Sequence, residues 1–228
     1  MKIIKDKRKE LEIKAAILIE RKIHEYLKTQ KQVVLGICGG TSVKGIFELL
    51  KKQNIPWEKV HIFWVDERLV PTDSPDSNYN QSCNIFLDFL TKQKKIKTIN
   101  VHPYNYFDLQ IEKGLDAYKN EVREFSHHFD IVLLSSGEDG HVASLFPNHD
   151  SINNQSEFFI HVNNSPKPPK ERISTSRKLL EKSKTAILLF FGEQKRQAFK
   201  NFQNQEMSVI DCPAKLVNNI QDSYVFSD

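Results

Sequence analysis

No apolar run in this sequence approaches the roughly 20 residues that a membrane-spanning helix requires. The longest, such as Ala186-Ile187-Leu188-Leu189-Phe190-Phe191, fall far short, so no membrane partner is expected. Residues 1–10 alternate Lys and Ile and then turn charged, without the apolar stretch of a signal peptide. A cytoplasmic, intracellular protein is the expectation. Cysteine is scarce: Cys38, Cys83 and Cys212 are odd in number and widely spaced, which gives no disulfide framework. No CxxC or Cys/His ligand spacing is present, and none of the eight histidines falls in an HExxH arrangement, so no metal is expected. No internal repeat, low-complexity linker or break in composition divides the chain, and one domain over residues 1–228 is expected. A strong charge of one sign is also lacking. The net charge of +4 is modest, and the lysines are mixed with acids without interleaved aromatics, which argues against a nucleic-acid surface. A small anionic substrate needs only a few well-placed cations.

What is present is a globular composition, 39% hydrophobic and 27% charged, in which strand-like apolar runs alternate with helical patterns. That alternation predicts a largely parallel sheet covered by helices. Residues 6–28 carry Leu11, Ala15, Leu18, Ile19, Ile23 and Leu27 as a helical stripe. Strands are expected over 32–37, 59–65, 129–134, 158–162, 184–191 and 223–226, with helices following several of them. One helix should turn Ile85, Phe86, Phe89 and Leu90 inward; another, capped by Asp108, should bury Ile111, Leu115, Tyr118, Val122 and Phe125. The polar and glycine-rich segments follow Ile37, Val65 and Leu134. Ligands of open α/β sheets bind beyond the carboxyl ends of strands, so these loops are expected to converge.

Four segments carry candidate chemistry. Gly39-Gly40-Thr41-Ser42 lets the backbone turn tightly and approach a phosphate, with a helix N-terminus and two hydroxyls beside it. Such a turn also serves structure alone, and the GxxxxGK[ST] spacing is absent. Asp66-Glu67-Arg68 alone reads as a solvated ion cluster, yet a guanidinium fork matches phosphate oxygens when a carboxylate holds it. Gly137-Glu138-Asp139-Gly140-His141 follows a buried strand and presents an acid and an imidazole around a glycine hinge. A histidine accepts a proton from water near neutral pH, and a carboxylate fixes its tautomer; a histidine satisfied by backbone is the alternative. Prolines stiffen Ser165-Pro166-Lys167-Pro168-Pro169-Lys170-Glu171-Arg172, where Lys167 and Arg172 either close over an anion or merely decorate a rigid connection.

In order, these segments resemble those of the 6-phosphogluconolactonase family, within the wider group that includes glucosamine-6-phosphate isomerase/deaminase. The counterparts are Cys38-Gly39-Gly40-Thr41, Asp66 to Pro71 with Ser77-Asn78-Tyr79, Phe129 to Pro147 with its Asp139-Gly140-His141, and Ser165 to Ile173. Gly192-Glu193-Gln194-Lys195 and Cys212-Pro213-Ala214-Lys215-Leu216-Val217 are similar to later family segments, and the likeness runs from about Val33 onward. The resemblance implies an α/β fold, a three-layer α/β/α, mostly parallel Rossmann-like sheet with helices on both faces. It implies hydrolysis of a phosphosugar lactone without metal or organic cofactor, by a monomer or weak homodimer. His141 would be the base that activates water and Asp139 its orienting partner. Arg68, Lys167 and Arg172 would grip the 6-phosphate with backbone N–H groups around Gly39, Gly40, Thr41 and Ser42, and Asp66 would shape the pocket. The sequence departs from the family in three places: Cys38 for serine, Ser135 for glycine, and Glu138 where proline is common. Two rivals follow. The isomerase/deaminase branch resembles DGH-x-x-F-N-E-P and needs a glutamate where Phe146 stands. A sugar-phosphate-binding protein without catalysis is the other, left open by Ser135 and Glu138.

Overall fold

A computed structural model describes residues 1–105 and 110–228. The helix cap expected at Asp108 lies outside the described residues. In chain order the strands are β1 (Lys2–Lys5), β2 (Val33–Ile37), β3 (Val60–Trp64), β4 (Asp66–Arg68), β5 (Val101–His102), β6 (Ile131–Ser135), β7 (Phe159–Val162), β8 (Arg172–Thr175), β9 (Thr185–Phe190) and β10 (Asp222–Ser227). The helices are α1 (Arg8–Tyr26), α2 (Lys44–Leu50), α3 (Asn78–Ser82), α4 (Asp88–Lys92), α5 (Ile111–Phe125), α6 (Asp150–Asn153), α7 (Arg177–Glu181) and α8 (Arg196–Gln203).

Seven strands form one parallel sheet in the order β1-β10-β9-β6-β2-β3-β5. Its central strands read VVLGI, VHIFW, IVLLS and TAILLF, apolar without alternation, because both of their faces are covered. Gly36 of β2 fits there for a specific reason: a β-carbon would crowd Phe129 and Val65, each 3.1 Å away. Helices pack around this sheet, α1 against α2 and β10, and the whole is an α/β, Rossmann-like architecture. The helix stripe read from the sequence is real: Leu11, Ala15, Leu18, Ile19 and Ile23 are buried. Among the described residues no helix is long and apolar enough to cross a membrane.

Three features differ from the sequence expectation. Asp66-Glu67-Arg68 is not a loop but β4, which pairs antiparallel with β8, and β8 with β7, in a separate three-stranded sheet. The edge strands β1 and β5 are short and add no pattern the eye could separate from a loop. Phe89 was expected inward and is 43% exposed, with the Lys51 ammonium over its ring. The cause is a π-helical turn, Cys83–Leu87, between α3 and α4. Its wider i→i+5 winding rotates every later side chain relative to an α-helical wheel, so Phe86 and Leu90 stay buried while Phe89 turns out.

Candidate active site

The chain runs from β2 outward through β3 to β5, then returns to lay β6 on the other side of β2 and continues to β9. At such a switch point the loops leaving adjacent strands diverge and open a crevice at their carboxyl ends. A cavity of about 340 Å³ lies there. Of the residues singled out in the sequence, Gly39, Gly40, Thr41, Ser42, Asp66, Arg68, His141, Lys167 and Arg172 all line it. Asp139 stands behind His141.

The turn after β6 is built around its glycines. Gly140 adopts φ +88°, which a side chain rarely tolerates, and a β-carbon there would press on Cys212 Sγ at 2.9 Å. A β-carbon on Gly137 would overlap the His141 ring. The Gly137 N–H donates to the His141 carbonyl at 2.8 Å, and Ala214 N–H donates to the Gly140 carbonyl at 2.8 Å. The imidazole is thereby fixed against Phe146, with ring centroids 4.8 Å apart. Asp139 Oδ1 lies 2.6 Å from His141 Nδ1 and also accepts the His141 N–H at 3.2 Å. Burial pushes the Asp139 carboxyl up, but the hydrogen bond and charge of His141, with Lys167 3.9 Å away, outweigh it and leave it at about 2. An ionised carboxylate only accepts, so in the neutral imidazole the proton belongs on Nδ1 and the lone pair on Nε2. Among the described residues Nε2 has no hydrogen-bond partner, and the ring borders the cavity.

β4 explains the acid-acid-base run. Glu67 points away from the cavity and is buried, accepting N–H bonds from Arg68, Asn78 and Tyr79 at 2.7–2.8 Å and the Ser77 hydroxyl at 3.1 Å. Burial nevertheless pushes its carboxyl up. It ties the start of α3 to β4 and so seats Asn78 over Gly39, where a β-carbon would overlap the Asn78 carboxamide. Asp66 is buried, accepting the Ser144 hydroxyl at 2.8 Å. Arg68 sits directly across the ladder from Arg172. Like charges placed opposite repel, an arrangement suited to an anion between or beside them. Burial, and after Asp66 the Arg68 charge, shape a guanidinium at Arg172 whose pKa is lowered. Arg172 is itself engaged: Nε donates to the Pro169 carbonyl and Nη2 to the carbonyls of Lys167 and Pro168, all at 3.0 Å. It holds the proline loop that presents Lys167. Arg68 is freer, with Nη1 on the Asp76 carbonyl at 2.8 Å and no partner for Nε among the described residues.

Sequence reasoning missed Lys195, and with it the other cation in this cavity. It enters from the segment between β9 and α8, and its Nζ donates to Ser42 Oγ at 2.9 Å and Ser135 Oγ at 2.7 Å. Among the described residues no carboxylate lies within ion-pair distance of it. Burial lowers its pKa to about 8. Its only signal in the sequence is its place in Gly192-Glu193-Gln194-Lys195, three residues beyond a glycine that adopts φ +100°. Among the lining residues Arg68, Lys167, Arg172 and Lys195 outnumber the acids Asp66 and Glu138. The expected helix N-terminus is displaced: a turn over 41–43 precedes α2, so Thr41 and Ser42 face the cavity from the turn. Among the described residues no group of three or more His, Cys, Asp or Glu is arranged to hold a metal ion.

Comparison with known proteins identifies the family. A 6-phosphogluconolactonase of Borreliella burgdorferi is 36% identical over 187 residues, covering 82% of this chain and 80% of that protein. One of Synechocystis sp. is 31% identical over 211 residues, covering 90% and 85%. The crystal structure of a 6-phosphogluconolactonase from Shewanella baltica superposes with a TM-score of 0.86 at 25% identity, covering 100% of this chain and 97% of the other. The family model described as glucosamine-6-phosphate isomerases/6-phosphogluconolactonase matches residues 6–226, and the chain belongs to that family.

Proposed function

We propose that this protein hydrolyses 6-phospho-D-glucono-1,5-lactone to 6-phospho-D-gluconate, the step by which a pentose phosphate pathway opens its lactone. The reading rests on one observation above all: an oriented imidazole, its Nε2 without a hydrogen-bond partner among the described residues, shares a cavity with Lys195 and Arg68, which have no carboxylate partner among those residues. His141 Nε2 takes a proton from water as its oxygen adds to the lactone carbonyl carbon. The tetrahedral intermediate then collapses, the bond from that carbon to the ring oxygen breaks, and the imidazolium returns its proton to the ring oxygen. The new carboxylic acid ionises into solvent. Asp139 holds the tautomer and stabilises the transient imidazolium. Lys195, Arg68 and Lys167, with the turn over Gly39, Gly40, Thr41 and Ser42, grip the remote phosphate, while Arg172 and Asp66 keep the walls in place. Binding energy at the phosphate orients the reacting carbon, and each charged contact contributes roughly 1.5–3 kcal/mol.

Support from relatives is consistent: those of 31–36% identity carry the name 6-phosphogluconolactonase. Deamination of glucosamine 6-phosphate would need a proton-relaying group at Phe146, which is an apolar, fully buried ring packed on His141. A cytoplasmic location fits three unpaired cysteines. The test is hydrolysis of freshly prepared 6-phosphogluconolactone beside its unphosphorylated analogue. Enzymatic turnover that strongly prefers the phosphorylated ring is expected; no turnover above the spontaneous rate overturns the reading.

A further inference from the structure

Ser135 ends β6 and stands where the family's LLG-x-G segment has glycine. Its hydroxyl is one of only two groups hydrogen-bonded to the Lys195 ammonium among the described residues, the other being buried Ser42 on the opposite lip. An ammonium carries three donors. Two of them are met here by neutral oxygens, which replace lost hydration without cancelling the charge, and the third is left for an anion. The rim carboxylate of Glu138 lines the same cavity and is exposed. A flexible lysine without a tether would be drawn toward that carboxylate and out of the pocket. We infer that Ser135 is a positioning residue: its hydroxyl fixes the Lys195 ammonium across from Ser42 and so completes the subsite that grips a phosphoryl group. Two departures from the family pattern then make sense together, because Ser135 offsets the pull of Glu138. The inference deepens the proposed function and rests on its phosphorylated ligand.

The experiment measures calorimetric binding of 6-phosphogluconate and of gluconate to the wild type, Ser135→Ala, Ser135→Gly and Ser135→Thr, with lactone turnover alongside. Removing the hydroxyl should weaken 6-phosphogluconate about tenfold, the effect of one charge-assisted hydrogen bond. Gluconate binding should not change, and Ser135→Thr, which keeps the hydroxyl, should stay within about threefold of wild type. Adding Glu138→Gln to Ser135→Ala should recover part of the loss. A dissociation constant for 6-phosphogluconate that is unchanged in both hydroxyl-free variants overturns the inference, as does an equal loss for gluconate. Tight 6-phosphogluconate binding by a wild type that turns over no lactone sinks the proposed function but leaves Ser135 judged by the same constants. A wild type that binds no 6-phosphogluconate removes both.

Discussion

Strand β6 carries an Asp–His pair at each end, and the two pairs do opposite things. At its amino end Asp130 is buried, with Oδ2 accepting the Val34 N–H at 2.8 Å and Oδ1 the Lys184 ammonium at 2.7 Å, while His128 Nε2 stands 3.5 Å off. Burial pushes that carboxyl up, but His128, Lys184 and the Val34 N–H outweigh it and hold it low. Both its oxygens are answered, and the pair closes the bottom of the sheet. At the carboxyl end Asp139 orients His141 and leaves Nε2 open toward a cavity rich in cations. The residue types are the same. What differs is the end of the strand: the pair at the amino end is closed within the sheet, and the pair at the carboxyl end is the one proposed to do chemistry.

That contrast can be broken or sharpened by substitution. Asp139→Asn should lower kcat on the order of 10²–10⁴-fold, because an amide can favour the wrong His141 tautomer. Its melting temperature should move little, and a kcat within threefold of wild type would remove Asp139 from the mechanism. Lys195→Gln should raise KM for the phosphorylated lactone ~10-fold or more at neutral pH. Because burial lowers the Lys195 pKa to about 8, phosphate affinity in the wild type should be full below that pH and fall as pH rises through it. Inhibition constants of 6-phosphogluconate between pH 6.5 and 9.5 check the limb, which must vanish in Lys195→Gln. Asp130→Asn should act on stability instead, costing about 1–3 kcal/mol and roughly 3–8 °C in melting temperature, with kcat of the folded protein kept. His128→Ala should change kcat less than about twofold; a large loss of turnover there would erase the distinction between the two ends.

Much of this is legible in the sequence. The central strands are written as unbroken apolar runs, and the Gly137 to His141 turn and the Gly39-Gly40 turn are punctuated by residues that only a special backbone needs. What stayed hidden was non-local or too short. β4 is three residues long and is a strand only because β8, more than a hundred residues later, pairs with it. Lys195 is one of 33 Lys and Arg residues, and beyond its place after Gly192 nothing near it in sequence marks it as half-buried beside Ser42 and Ser135. Arg172 looked like a free cation, whereas three loop carbonyls claim its donors. Phe89 followed a helical wheel that one π turn resets. Local pattern fixes the elements; cross-chain pairing decides which charges are free.

The most direct test is saturating turnover of fresh 6-phosphogluconolactone by His141→Ala, with 6-phosphogluconate affinity measured on the same preparation. A fall in kcat on the order of 10³-fold with affinity retained within a few-fold is the predicted result. Turnover at the wild-type rate would contradict the account at its centre, since no open imidazole nitrogen would then be moving the proton.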